Sequence, residues 1–155
     1  MCVIVSSAAI AAGVHKLGLA SRPEDLPGKQ ACAAAGQPEL MHMYAEAFKR
    51  HRLVVAQLLL THDDIDSRMR RQNAFNTIER ILEAGNIVPI VNENDTVAVE
   101  ELRFGDNDRL SAEVAHLVKS GSFAAPHLFR WPDGLFRAPY CGRGTSLGGV
   151  SICAP

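Results

Sequence analysis

The sequence predicts an α/β fold built in layers around a mostly parallel sheet. Three observations carry that expectation. Strand-length apolar runs alternate with helical patterns over residues 1–119. Two of the runs, LVVAQLLL (Leu53–Leu60) and NIVPIV (Asn86–Val91), are almost continuously apolar, as strands covered on both faces are. Glycines stand where the helical patterns stop, at Gly18 and Gly85.

Cys2–Val5 is β-branched and reads as a short buried strand. Ser6 and Ser7 are candidate caps for a helix from Ala8 to about Leu17, which Gly18 ends. Pro23–Pro27 reads as a linker. A longer helical pattern runs from about Lys29 to Arg50, with Leu40, Tyr44 and Phe48 on one face. Gly36 and Pro38 interrupt it, so two helical pieces are expected. Leu53–Leu60 is the next strand. Met69–Ala84 is an amphipathic helix with Phe75, Ile78 and Leu82 on its inner face. In the strand Asn86–Val91, Pro89 lacks a ladder donor and is expected at a bulge or where no partner accepts. Val97–Phe104 suggests a short hairpin. Asp108 is placed to cap a helix over Arg109–Lys119, with Leu110, Val114, Leu117 and Val118 inward.

Bulk composition excludes several functions. The chain has 155 residues, 47 % of them apolar and 21 % charged, with a net charge of -1. Such a balance gives no footing for wholesale binding to nucleic acid or to an anionic membrane. Aromatic residues, at 6 %, are too few for a base-stacking surface. No run reaches the roughly 20 apolar residues of a membrane helix. The start, MCVIVSSAAIAAGV, lacks the basic segment of a signal peptide. Cys2, Cys32, Cys141 and Cys153 show no C-x-x-C spacing and read as free thiols in a reducing cytoplasm. The histidines are scattered without a metal-ligand pattern, so no metal site is expected from them.

In parallel sheets, ligands lie at the carboxyl ends of the strands. Three segments leave those ends: Ser6-Ser7, Thr61-His62 and the acid-amide turn Asn92–Asp95. A fourth, Asp106–Asp108, opens the last helix. Ser7, Asp95, Asn107 and Asp108 would together offer carboxylates for an ammonium group. Hydroxyl, amide and helix-terminal N–H donors would be there for a carboxylate. That set suits a free α-amino acid. Asp108 and Ser7 also have a purely structural reading as caps, and Gly105 and Asp106 as turn residues.

The blocks VSSAAIAAG, GKQACAAAGQPELM, QLLLTHDDI, RRQNAFNTIERILEAGNIVPIVNENDTVA and FGDNDRLSAEVAHLV resemble the glutamate 5-kinase family, within the amino-acid kinase superfamily. The resemblance spans Val3–Val118. It implies a three-layer α/β/α sandwich, with 1–119 a partial amino-acid kinase domain holding the glutamate-binding portion. It further implies ATP and Mg2+ as cosubstrates and phosphorylation of the side-chain carboxylate of L-glutamate, the first step of proline synthesis. Ser7 would lie in the substrate turn, and Asp95 and Asn107 would contact glutamate with Asp108 beside them. Proline would act as feedback inhibitor, and the enzyme would be a homo-oligomer. A non-catalytic remnant that binds glutamate or proline, or pairs with a partner subunit, is the alternative.

The sequence departs from the family in three places. The family begins with a strand, a Gly/Ser-rich turn and a phosphate-binding lysine, whereas this chain opens on the second strand, so no catalytic residue is assigned. Ala8 stands where the family has glycine, a costly exchange if that backbone needs a positive φ. After Lys119 the family's nucleotide-binding strand gives way to a Gly/Pro/Arg-rich segment, 120–155, without Lys or Glu. Its order the sequence leaves open; DGLF (Asp133–Phe136) is the one trace of the family's turn. Either a divergent tail or an out-of-frame reading has this composition. An out-of-frame origin predicts a frame change within the codons for Lys119–Trp131, and a clean in-frame read of the gene there excludes it.

Overall fold

A computed structural model describes residues 2–98, 110–114, 146–147 and 150–151. In chain order the elements are β1 (Ile4–Val5), α1 (Ala9–Lys16), α2 (Leu26–Lys49), β2 (Val54–Leu60), α3 (His62–Asp66), α4 (Arg68–Glu83) and β3 (Ile87–Glu93). Residues 110–114 are helical. The short strands β4 (Ser146–Leu147) and β5 (Val150–Ser151) pair antiparallel.

The main sheet has the order β1-β3-β2, all parallel. Side chains alternate across it and build two cores. Ile4, Val88 and Ile90 face α1 and α2, among Ile10, Cys32, Leu40, Tyr44 and Phe48. Val5, Leu58, Leu60 and Val91 face the other way, onto Ile65, Ile78 and Leu82 of α3 and α4 and onto Leu110 and Val114. Helices on both faces of a parallel sheet are the expected layering. Coverage is fullest at β3, whose Val88–Glu93 are all buried. On β2 the expected two-sided burial fails: none of Val54–Gln57 is buried, Val54 being 55 % exposed, and only Leu58 and Leu60 are buried. Among the described residues β2 is an outer strand, so one edge and its first turn face outward.

Pro89 lies in the central strand, opposite Ala56 of β2. Ser6 N–H donates to the Val91 carbonyl at 2.8 Å, and Val54 N–H to the Asn86 carbonyl at 2.9 Å. Odd-numbered residues of β3 therefore turn their backbone polar groups to β1, and even-numbered ones to β2. The donor that Pro89 lacks would point toward β1, short of its first paired residue, Ile4. The proline sits where the ladder has not begun.

The helix ends follow local chemistry, with two exceptions. Gly18 has φ +64° and closes α1: its N–H reaches the His15 carbonyl, and Leu19 N–H reaches that of Val14. Gly85, at φ +76°, closes α4. Ser6 and Ser7 do not cap α1; its N-cap is Ala8, with no side-chain cap bond. Ser6 instead faces the core, where its Oγ accepts from the Tyr44 hydroxyl at 3.1 Å. Nor do Gly36 and Pro38 split the long helix. It is one element of 24 residues, begun at Leu26 by Asp25, whose carboxylate accepts from Gly28 N–H. Most of the expected Pro23–Pro27 linker is thereby the approach to that cap.

Gly36 marks a close approach rather than a break. A Cβ there would fall 2.0 Å from the Ala9 carbonyl oxygen, and one on Gly13 would fall 1.8 Å from that of Cys32. The backbones of α1 and α2 meet at these two glycines. The expectations for 99–104, Arg109, Leu117, Val118 and Asp133–Phe136 lie outside the described residues, as do Cys141 and Cys153; Cys2 and Cys32 are not in disulfides.

Gly36→Ala is expected to lower stability by roughly 1–3 kcal/mol or more, because backbone cannot yield as a side chain does. Gly18→Ala, which meets open space and only the strain of its positive φ, is expected to cost about 1 kcal/mol. Urea unfolding of both variants checks the ordering.

Candidate functional site

The parallel register aligns the strand ends: Val5 lies opposite Val91, and Leu60 opposite Glu93. The segments after β1, β2 and β3 therefore leave from one edge of the sheet. Ser7 and Asp95 are both brought to that edge. Asn107 and Asp108 lie outside the described residues.

Asn92 and Glu93 are the last residues of β3 rather than turn residues, and both are buried. Asn92 continues the row Val88–Ile90 toward α2. There its Nδ2 donates to Gln37 Oε1 at 2.9 Å, while its Oδ1 accepts from Glu93 N–H at 2.9 Å. Beyond the strand, Asn94 N–H is held by the Leu60 carbonyl at 2.9 Å. Val97 N–H returns to the Asn94 carbonyl at 3.2 Å, closing a four-residue turn with Asp95 and Thr96 at its centre. Thr96 Oγ1 donates to Asn94 Oδ1 at 2.7 Å. Gln30 Nε2 donates to the Ala98 carbonyl at 3.1 Å. Gln30, Gln37 and Tyr44 are spaced by seven on α2, so one helix face holds the exit of β3, Asn92 near its end and Ser6 just after β1.

A cavity of about 290 Å³ opens between α2, β2 and the turn after β3. Its walls are Ala33, Ala34, Gln37 and Pro38 of α2, Gln57 and Leu59 of β2, and Glu93–Thr96. Among the described residues its lining contains two carboxylates and three amides, and neither Lys nor Arg. That donor set suits an ammonium group and a small polar ligand; it does not suit a polyphosphate, whose binding needs cations. Ser7 is not in this wall. It is exposed at the start of α1, whose first N–H groups have no side-chain cap, an arrangement that favours an anion. Asp95 and Ser7 thus present complementary chemistry at neighbouring strand ends. Ala8 has φ -93°, which alanine adopts freely, so its exchange for glycine brings no backbone strain.

The segment after β2 is a structured corner. Thr61 caps α3: its Oγ1 accepts from Asp64 N–H at 3.2 Å, and the Asp64 carboxylate accepts from Thr61 N–H at 2.8 Å and from its hydroxyl at 2.7 Å. Arg70 adds a contact at 3.3 Å. The Thr61 backbone donor, more than any other group, holds the Asp64 carboxyl below the usual carboxylate range against the opposing effect of burial. Burial pushes the Tyr44 hydroxyl up, so it stays neutral and donates to Ser6.

Sequence reasoning missed Gln37 and the strand role of Asn92. The signal for Gln37 was present. It stands three residues before Leu40 and seven before Tyr44, on the apolar face of its helix, where an amide needs a reason. Among the described residues no three His, Cys, Asp or Glu side chains converge as metal ligands, and no helix is long and apolar enough to cross a membrane.

Comparison with known proteins adds the following. The model of the amino acid kinase family matches residues 1–123. The chain is 60 % identical over 116 residues to a protein named glutamate 5-kinase from Myxococcus xanthus, covering 75 % of this chain and 30 % of the relative. It is 57 % identical over 122 residues to the glutamate 5-kinase of Thermus thermophilus, covering 79 % and 33 %. It is 52 % identical over 136 residues to that of Carboxydothermus hydrogenoformans, covering 88 % and 36 %. The chain therefore spans about a third of the length of the curated relatives it matches.

Asp64→Ala is expected to cost about 1 kcal/mol at neutral pH through loss of the reciprocal cap. The folded carboxyl is more acidic than the unfolded one. Its contribution is therefore full above the unfolded pKa, near 4, and is lost as pH falls through the lower folded value. Urea unfolding between about pH 5 and pH 2 should show this loss in the parent and its absence in Asp64→Asn.

Proposed function

Since the chain belongs to the amino acid kinase family, we propose that it is the amino-acid-binding portion of a glutamate 5-kinase-type enzyme. That enzyme transfers the terminal phosphoryl group of ATP to the side-chain carboxylate of L-glutamate, giving glutamyl 5-phosphate and committing glutamate to proline. The observation that carries the reading is the turn Asn94–Val97. It follows the central strand of the sheet, presents Asp95 at a cavity, and lies in a chain 52–60 % identical to relatives named glutamate 5-kinase.

In this reading Asp95 takes the ammonium group of glutamate. Ser7 and the uncapped start of α1 receive a carboxylate, with Asn107 and Asp108 completing the grip. The gain is positional: a carboxylate held still beside a phosphoryl donor needs no further activation by covalent chemistry. ATP and Mg2+ are the cosubstrates of the family reaction, and they supply the phosphoryl group and its charge neutralisation. Among the described residues the cavity wall holds neither Lys nor Arg, and no step is assigned to its residues beyond holding the acceptor. Proline shares the ammonium and α-carboxylate of glutamate and would compete for the same groups as feedback inhibitor. A homo-oligomer in the cytoplasm goes with this reading. The alternative reading is a chain that binds glutamate or proline, or pairs with a partner subunit, without turning glutamate over.

Glutamate-dependent ATP consumption and calorimetry with glutamate and proline separate the two. Binding of glutamate by this chain is expected in both readings; glutamate-dependent turnover by it excludes the second, and a silent titration with well-folded protein overturns both. In an active form, Asp95→Ala and Asn107→Ala are expected to raise the glutamate KM by about tenfold or more, the loss of one charge-assisted contact. The ATP KM should change far less. Equal effects on both KM values would mean that these residues serve the nucleotide.

A further inference from the structure

Strand β2 has an unguarded edge. One side pairs with β3 in an unbroken register from Val54 to Leu60, and among the described residues nothing pairs with the other. Val54 N–H donates to the Asn86 carbonyl, and the Leu60 carbonyl accepts from Asn94 N–H. Even-numbered residues of β2 thus spend their main-chain groups on the β3 side, and Val55, Gln57 and Leu59 point theirs outward. Native edge strands are commonly protected by a charge, a proline or a bulge. VVAQLLL has none of these. Part of it also meets solvent, since Val54 and Gln57 are exposed.

The charges that flank this strand differ in sign at its two ends. Arg50, His51 and Arg52 precede it, all exposed, and Asp63 follows it, also exposed. Among the described residues Arg50, Arg52 and Asp63 make no ion pair. A strand with a basic start and an acidic end attracts a copy of itself laid antiparallel and repels one laid parallel.

We infer that two copies of this chain join by antiparallel pairing of their β2 strands across a two-fold axis at Gln57, making one continuous sheet. This surface for self-association is independent of the glutamate reading. Val55 lies opposite the partner's Leu59, and Gln57 opposite the partner's Gln57. Both members of each pair turn their main-chain groups outward, so each pair exchanges two hydrogen bonds and no outward donor of β2 is left over. Val54 lies opposite the partner's Leu60, which gives the exposed valine an apolar neighbour. A slip of one residue would set outward groups against inward ones. A slip of two would leave Val55 or Leu59 without a strand residue to pair with. The two-fold axis closes the contact on itself, so this edge builds a dimer and no further.

Sedimentation velocity on the whole chain, read as a dimer dissociation constant, tests the inference. The parent should be a dimer. Gln57→Pro removes a donor that β3 does not use, and Val54→Lys sets a charge against the partner's Leu60. Each should raise the dissociation constant by about tenfold or more. Arg50→Glu and Asp63→Lys should each weaken the dimer, and the chain carrying both should recover it, because the two reversed charges meet across the axis. A monomeric parent overturns the inference. So does a dimer that persists in Gln57→Pro and Val54→Lys, since another surface then carries it, or a double charge variant no tighter than the single ones. If the variants fail to fold by circular dichroism, amide exchange of the parent decides. Val55, Gln57 and Leu59 should be protected in concentrated protein and lose that protection on dilution. Rapid exchange at these amides throughout, or protection that dilution leaves unchanged, also overturns it.

Discussion

The two helices on one face of the sheet touch backbone to backbone at Gly13 and Gly36, and this contact fixes where α2 lies. From that position one stripe of α2 can reach the sheet. Leu40 and Phe48 fill the core, and Gln30, Gln37 and Tyr44 hold three separate points along the site edge. A helix displaced outward by even a methyl group on each glycine would leave those amides and that hydroxyl short of their partners. Packing and polar positioning are one constraint here, because the residues that do each job alternate along the same stripe.

The site at that edge draws its order from different physical sources. The turn bearing Asp95 is held by main-chain bonds to Leu60 and within itself. The corner after β2 is held by a reciprocal cap and one arginine. The start of α1 is held by Ser6, whose side chain is spent on Tyr44 rather than on the helix. Leaving α1 uncapped keeps its first N–H groups open to an anion, which a serine cap would otherwise occupy in part.

Much of the layering was legible in the sequence, and the errors share a cause. Periodicity located each long helix and strand, and the strand ends followed, which put Ser7 and Asp95 on one edge. Local rules failed where a tertiary partner overrode them. Gly36 and Pro38 read as breakers because a sequence does not display the neighbouring helix that Gly36 lets in. Ser6 read as a cap because the Tyr44 hydroxyl is 38 residues away. Asn92 read as a turn residue because a polar side chain at the end of a buried strand looks like the beginning of a loop. The Thr61/Asp64 spacing is visible in the sequence, yet the segment read only as a loop leaving the strand, and the short helix α3 was not expected there. Asn107 and Asp108 stay as the sequence left them.

Pro89 divides the central strand into unequal sides. Toward β2 the register runs unbroken through seven pairs, from Val54 to Leu60. Toward β1 it holds only at Ile4 and Val5. Local opening should therefore fray the sheet from the β1 side first. Such an excursion would loosen Ser7 at the end of β1, while α1 stays pinned to α2 at Gly13 and Gly36 and Asn92 and Gln37 stay anchored. The edge that carries Ser7 and Asp95 has one fixed side and one that opens more readily, and anything bound across both would act as the missing rung between them.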